Sequence, residues 1–182
     1  MKIIDQPIQD LILFEPEIIE DARGSFIIGF NNEFFSNLFN RKIQIVQENV
    51  SYSMEGVLRG LHFQNKPHAQ DKLISIDKGS VLDVCVDIRN NSPTFGQHAT
   101  FRLSENDNFF LWVPKGFAHG FVSLEDNTQI VYRITEHFNK EAENCIRWND
   151  PVLNVEWPSN FEFVISERDQ NSEFFDIKKQ YL

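Results

Sequence analysis

Val81-Leu82-Asp83-Val84-Cys85-Val86-Asp87-Ile88-Arg89 sets apolar side chains at 82, 84, 86 and 88 against charges at 83, 87 and 89. Alternation with period two is the pattern of a half-buried strand. Lys72-Leu73-Ile74-Ser75-Ile76 precedes it, and Asp77-Lys78-Gly79-Ser80 between them is turn chemistry, so the two segments are predicted to form a hairpin. Working outward, further strands are predicted over 25–30, 43–50, 56–63, 99–103, 109–114, 118–124 and 129–135. Helical signal is concentrated at 32–40 (NEFFSNLFN), with Asn31 or Asn32 as N-cap. From Asp150 on, Pro151 and Pro158 break any period. Short strands at close spacing imply an all-β sandwich, jelly roll or barrel, a class that often holds one small ligand in its mouth or interior.

The chain has 182 residues, with 17 Lys plus Arg against 27 Asp plus Glu, so its formal charge is 17 − 27 = −10. That balance argues against nucleic acid and against an anionic membrane surface as partners. The longest apolar runs, 11–14 and 109–113, are strand-sized, far short of the roughly 20 residues of a membrane helix. The N-terminal MKIIDQPIQD lacks a signal-peptide core, so a cytoplasmic location is expected. Cys85 and Cys145 fit no metal spacing and read as small buried hydrophobes in a reducing compartment. Eighteen Phe among 24 aromatics point to a large packed interior or a stacking site.

Chemistry-bearing residues cluster in a few segments. Val57-Leu58-Arg59-Gly60-Leu61-His62-Phe63-Gln64 places a permanent cation and a titratable base three residues apart. Their strand parity is opposite, and only a bulge at Gly60 would aim both into one cavity. In Val113-Pro114-Lys115-Gly116-Phe117-Ala118-His119-Gly120-Phe121, Pro and Gly frame a turn that delivers His119 to the start of a strand. Tyr132 shares the apolar parity of Ile130 and Ile134, so its hydroxyl is expected inside, where it needs a partner. Each of these alone is compatible with an ordinary core or surface residue. The five histidines show no close metal-ligand pairing.

Together the segments resemble the nucleotide-sugar epimerases typified by dTDP-4-dehydrorhamnose 3,5-epimerase. The matching stretches are Asp21-Ala22-Arg23-Gly24, VQENVSYSMEGVLRGLHFQ (46–64), AQDKL (69–73), DVCVDIRNNSPTFG (83–96), VPKGFAHGF (113–121), IRWNDP (146–151) and ISERD (165–169). The resemblance runs from about residue 14 to 170. It implies a cupin jelly-roll barrel with short peripheral helices, forming one domain over 1–182. N-terminal strands are expected to contribute to a homodimer, and the segment from about 150 to be irregular. It implies His62 as general base with Asp169 as its carboxylate partner, Tyr132 as proton donor on the opposite sugar face, and Lys72 beside the enolate. Arg23, Gln47, Asn49, Arg59, His119, Phe138, Glu143 and Arg168 match substrate-binding positions, with Arg23 acting across the dimer interface. The implied ligand is a nucleotide-diphosphate sugar, with no metal and no nicotinamide cofactor.

The chemistry suits those residue types. A 4-keto sugar has acidified C–H bonds at C3 and C5, and the ketone itself is the electron sink. Inversion needs a base on one face, an acid on the other, and a group to hold the enolate oxygen. An imidazole with an ordinary pKa near 6.5 and a phenol near 10 supply the first two at neutral pH. Two departures from the family pattern bear on the nucleotide: Ile28 stands where Glu is usual, and Phe138 where Tyr is common. The alternatives are an epimerase of one carbon only, a metal-dependent cupin enzyme, or a sugar-binding cupin without catalysis.

Overall fold

The computed structural model describes residues 1–159 and 162–181. Two antiparallel sheets face one another. The first contains β1 (Lys2–Ile8), β2 (Leu11–Glu15), β10 (Phe110–Val113), β7 (Lys72–Lys78), β12 (Thr128–Ile134) and β5 (Gln47–Ser53), in that spatial order. The second contains β13 (Glu143–Cys145), β6 (Val57–Gln64), β11 (Phe117–Ser123), β8 (Ser80–Asp87) and β9 (His98–Ser104), with β14 (Val164–Ile165) also pairing β6. A separate hairpin joins β3 (Glu17–Asp21) to β4 (Gly24–Ile28). The architecture is the expected jelly roll. The helices are short: α1 (Asn32–Leu38), capped by the Asn31 side chain, and α2 (Glu167–Gln170), capped by Ser166.

The expected hairpin of β7 with β8 does not form. Gly79 (φ 76°) turns the chain from one sheet to the other; β7 pairs with β10 and β12, and β8 with β11 and β9. Turn chemistry predicts a reversal, and a reversal serves a sandwich corner as well as a hairpin.

The alternation of β8 is present, but its polarity is inverted. Val81 and Cys85 join Phe117, Phe121, Ile74 and Ile130 in the core between the sheets, so Asp83 also faces inward and is fully buried. The even residues Val84, Val86 and Ile88 face the other way, under Ile146, Leu153, Phe175 and Tyr181 of the C-terminal segment. The strand is buried on both faces because that irregular segment covers the even-numbered side while the odd-numbered side turns into the core between the sheets. Asp87 is stabilised there by Arg89, Ser92 and Thr94, which all donate to its carboxylate.

Much of the phenylalanine surplus sits away from the pocket. Phe35 of α1 packs with Phe14, Phe30, Phe34, Phe39 and Trp112 on the outer face of the first sheet, its ring stacked 5.0 Å from Trp112. Aromatic pairs of this kind add about 0.5–1.5 kcal/mol each beyond area burial. The cluster fixes the back of β10 and β7, and β7 carries Lys72 on its inner face.

Candidate active site

A pocket of ≈ 340 Å³ opens between the two sheets. Arg59 and His62 both line it, which a flat β6 would forbid. Gly60 (φ 135°) makes the difference. His119 pairs with His62 and Phe121 with Arg59, so three steps along β6 oppose two along β11. This is the bulge that the Arg59–His62 parity requires. A Cβ on Gly60 would lie 2.5 Å from the Cα of Gly120, so any side chain there would force β6 and β11 apart.

His62 Nε2 lies 2.8 Å from Asp169 Oδ1. Asp169 comes from α2, where Ser166 accepts its backbone N–H, and its second oxygen accepts the Gly60 N–H at 3.2 Å. Burial raises the Asp169 pKa, but the hydrogen bond and charge of His62 and the Gly60 amide outweigh it and hold the carboxyl below its ordinary value. An ionised Asp169 accepts from Nε2 and leaves Nδ1 as the ring nitrogen free to take a proton.

Tyr132 stands on the facing sheet, 3.2 Å from the Ser51 hydroxyl. Burial raises its phenol well above the ordinary value, so it stays protonated at neutral pH. Lys72 lies on neighbouring β7; enclosure lowers its pKa, partly offset by Cys85, Asp83 and Glu143. His119 Nε2 meets Asp83 Oδ2 at 2.8 Å, forming a second imidazole–carboxylate pair. Burial lowers the His119 pKa and keeps that ring neutral, against the pull of Asp83.

The same pocket wall includes Asn49, Phe138 and Glu143. Gln47 stands just behind: its amide donates to Asn49 Oδ1 at 2.6 Å, and its carbonyl oxygen accepts the Phe138 N–H at 3.2 Å. Arg168 pairs with Glu143 at the rim. Arg59 is steadied by Ser53 and the Tyr52 carbonyl. Arg23 is not brought to the pocket of its own chain; it sits at the tip of the β3–β4 hairpin, 89% exposed and paired with Asp21. Ile28 is likewise on that hairpin.

Three site residues escaped the sequence reading. Asp83 was taken as a solvent-facing charge of β8. Ser51, paired across β5 with Ile130, carried no signal of its own. Cys145 is half-buried, its Sγ 3.8 Å from Asp169 Oδ1. Its position opposite His62 on β13 could have been found only from the register.

Known proteins similar to this chain in sequence and fold point to one family. A family model described as dTDP-4-dehydrorhamnose 3,5-epimerase matches residues 5–176. The chain is 43% identical over 175 residues to the dTDP-4-dehydrorhamnose 3,5-epimerase of Shigella flexneri, covering 96% of each. It is similar to the crystal structure of the dTDP-4-dehydrorhamnose 3,5-epimerase from Elizabethkingia anophelis, with TM-score 0.91, 40% identity and 96% of each chain covered. It is also similar to a dTDP-6-deoxy-D-glucose-3,5-epimerase from Legionella pneumophila in complex with dTDP-4-keto-L-rhamnose. That match has TM-score 0.89 and 39% identity, covering 95% of this chain and 92% of the other.

Proposed function

The chain belongs to the dTDP-4-dehydrorhamnose 3,5-epimerase family, and from that premise we propose that its pocket converts dTDP-4-dehydro-6-deoxy-D-glucose to dTDP-4-dehydro-L-rhamnose. As an isomerase it moves protons at C3 and C5 and leaves the oxidation state unchanged. The observation that carries the reading is that His62 and Tyr132 line one cavity from facing sheets. A sugar ring between them presents one face to an imidazole and the other to a phenol.

His62 Nδ1 takes the proton from the carbon beside the ketone. Asp169 steadies the imidazolium that forms, as in a hydrolase triad. The electrons move onto the ketone oxygen, where the Lys72 ammonium lowers the energy of the enolate; the neutral His119 ring, its Nε2 engaged by Asp83, is a polar part of the same wall. Tyr132 returns a proton from the opposite side, inverting the carbon. Positioned acid–base groups of this kind contribute about 10²–10⁴-fold each.

Arg59 and Arg168 are suited to the diphosphate, since guanidinium binds phosphate oxygens bidentately. Phe138, 48% exposed at the rim, offers a stacking face for the base. Among the described residues the β3–β4 hairpin pairs with no other strand, and it leaves Ile18, Ile19 and Phe26 exposed. A lone two-stranded hairpin is marginal in water. Its packing on a second copy of this chain would make a homodimer and carry Arg23 to the partner's pocket. Among the described residues no helix is long and apolar enough to cross a membrane, and we assign the enzyme to the cytoplasm.

NMR of dTDP-4-keto-6-deoxyglucose in heavy water tests substrate, reaction and regiochemistry at once. Deuterium is expected at both C3 and C5, with inversion at both. Deuterium at one carbon only would leave a single-carbon epimerase. Tyr132→Phe is expected to keep proton removal while losing inversion; unchanged product and rate in that variant would remove Tyr132 as the donor.

A further inference from the structure

Cys145, His62, His119 and Cys85 form one row across four neighbouring strands. Cys145 pairs with His62, His62 with His119, and His119 with Cys85. A carboxylate closes each end of the row: Asp169 beside His62 and Cys145, and Asp83 beside His119 and Cys85. Each end therefore gathers an imidazole nitrogen, a thiol sulfur and a carboxylate oxygen within 4.8 Å of one another.

We propose that the Asp169 end is a binding site for a thiophilic divalent cation, Zn²⁺ above all, held by His62 Nε2, Asp169 Oδ1 and Cys145 Sγ, and that the bound ion takes the base out of the reaction. Nitrogen, sulfur and oxygen are the donors zinc prefers, at roughly 2.0–2.3 Å, which sets neighbouring donors roughly 3.3–3.6 Å apart in a tetrahedron. Here His62 Nε2 and Asp169 Oδ1 are 2.8 Å apart, and Cys145 Sγ and that same oxygen 3.8 Å. Tetrahedral coordination asks the first pair to part by about 0.5–0.8 Å and leaves the second near its present spacing. Three protein ligands leave the fourth position to water.

A second cavity of ≈ 390 Å³ also reaches His62 and Asp169; Ser166, Ile165, Arg59 and Arg168 line it, and Tyr132 and Lys72 do not. The mirror-image group at Asp83 is less suited. All three of its residues are buried, and the Lys72 ammonium already acts on Asp83 and Cys85. At the Asp169 end the neighbouring cations are Arg168, half-exposed and engaged by Glu143, and the exposed Arg59, both screened by water.

Binding is balanced in protons. Burial pushes the Cys145 thiol up to about 12, so the free enzyme holds it neutral. Coordination by sulfur sends that proton to solvent, one per ion. Coordination by Nε2 moves the ring proton to Nδ1 and leaves His62 neutral. The nitrogen facing the sugar then carries N–H instead of a lone pair and cannot accept a proton. The inhibitory half of the proposal rests on His62 being the base; the binding half does not.

The test uses the full chain, stripped with a chelator, without substrate. Titration with Zn²⁺ is expected to show one ion per chain. Co²⁺ in its place is expected to give a thiolate-to-cobalt charge-transfer band. Cys145→Ala and Cys145→Ser are expected to lose the band and weaken Zn²⁺ binding by at least about tenfold, while Cys85→Ala keeps both. In the heavy-water exchange assay, Zn²⁺ inhibits and a chelator restores the rate; for Cys145→Ala the inhibitory concentration rises about tenfold relative to its own metal-free rate. Absence of the band, equally tight binding by Cys145→Ala, or loss on Cys85→Ala alone would overturn the site. Binding through Cys145 without inhibition would overturn the switch. If the chain does not turn over the dTDP sugar, the functional reading fails and the cobalt spectrum still decides the site.

Discussion

The pocket holds two imidazole–carboxylate pairs with the same 2.8 Å contact on adjacent strands, and they differ in water. The His62 side chain is 28% exposed and that of Asp169 5%; for His119 and Asp83 the values are 5% and 0%. A base must exchange its proton with solvent between turnovers, and the first pair has that access. The second pair is sealed. Burial holds the His119 ring neutral and Asp83 engages its Nε2, which fits a fixed polar wall that neither takes nor gives the reacting proton. In the proposed mechanism the same two residue types serve as acid–base catalyst and as polar wall, and depth separates the two roles.

The largest break of that comparison is at the rings. His62→Ala is expected to cut deuterium incorporation by about 10³–10⁴-fold, the scale of a lost general base. His119→Asn removes no proton carrier and is expected to cost less than the roughly 10²-fold of a lost general acid or base. Equal losses from the two, measured by exchange at C3 and C5, would erase the distinction. The carboxylates should then part in a different currency. Asp169→Asn is expected to lower kcat by about 10²-fold or more through the wrong imidazole tautomer, with little change in thermal midpoint. Asp83→Asn is expected to lower stability by about 1–3 kcal/mol, because Lys72 and His119 lose a buried partner, as denaturant titration would show.

This contrast was only partly legible in the residues. The parity of Tyr132 with Ile130 and Ile134 correctly sends the phenol inward, because β12 has an apolar inner face and a mixed outer one. The opposite parity of Arg59 and His62, with Gly60 between, correctly calls for a bulge. The inversion of β8 was hidden for a physical reason. Alternation says that two faces differ, and which face is the interior depends on what covers the other. Here residues 146–181 cover it, and nothing in 81–89 announces them. Asp169 lies 107 positions from His62, so no local pattern links them; only the resemblance of ISERD to a known family did. The β7–β8 turn was misread because a corner and a hairpin use the same residues.

The smallest expected effect, and the one that sharpens the comparison most, is a pH limb. Burial lowers the Lys72 pKa from the ordinary 10.5, despite the opposing pull of Cys85, Asp83 and Glu143. In the proposed mechanism the protonated amine steadies the enolate, so kcat should fall as pH rises through a value below 10.5. Tyr132 is raised and stays protonated across that range, so the limb belongs to Lys72. Stability moves the opposite way. Between the folded and unfolded pKa of Lys72 the unfolded chain binds more protons, so this group's contribution to stability grows with pH and is lost as pH falls through the folded value. A falling rate accompanied by a steady or rising thermal midpoint is therefore the expected signature. A rate that holds up to pH 10.5 would mean that the Lys72 charge does not carry the enolate.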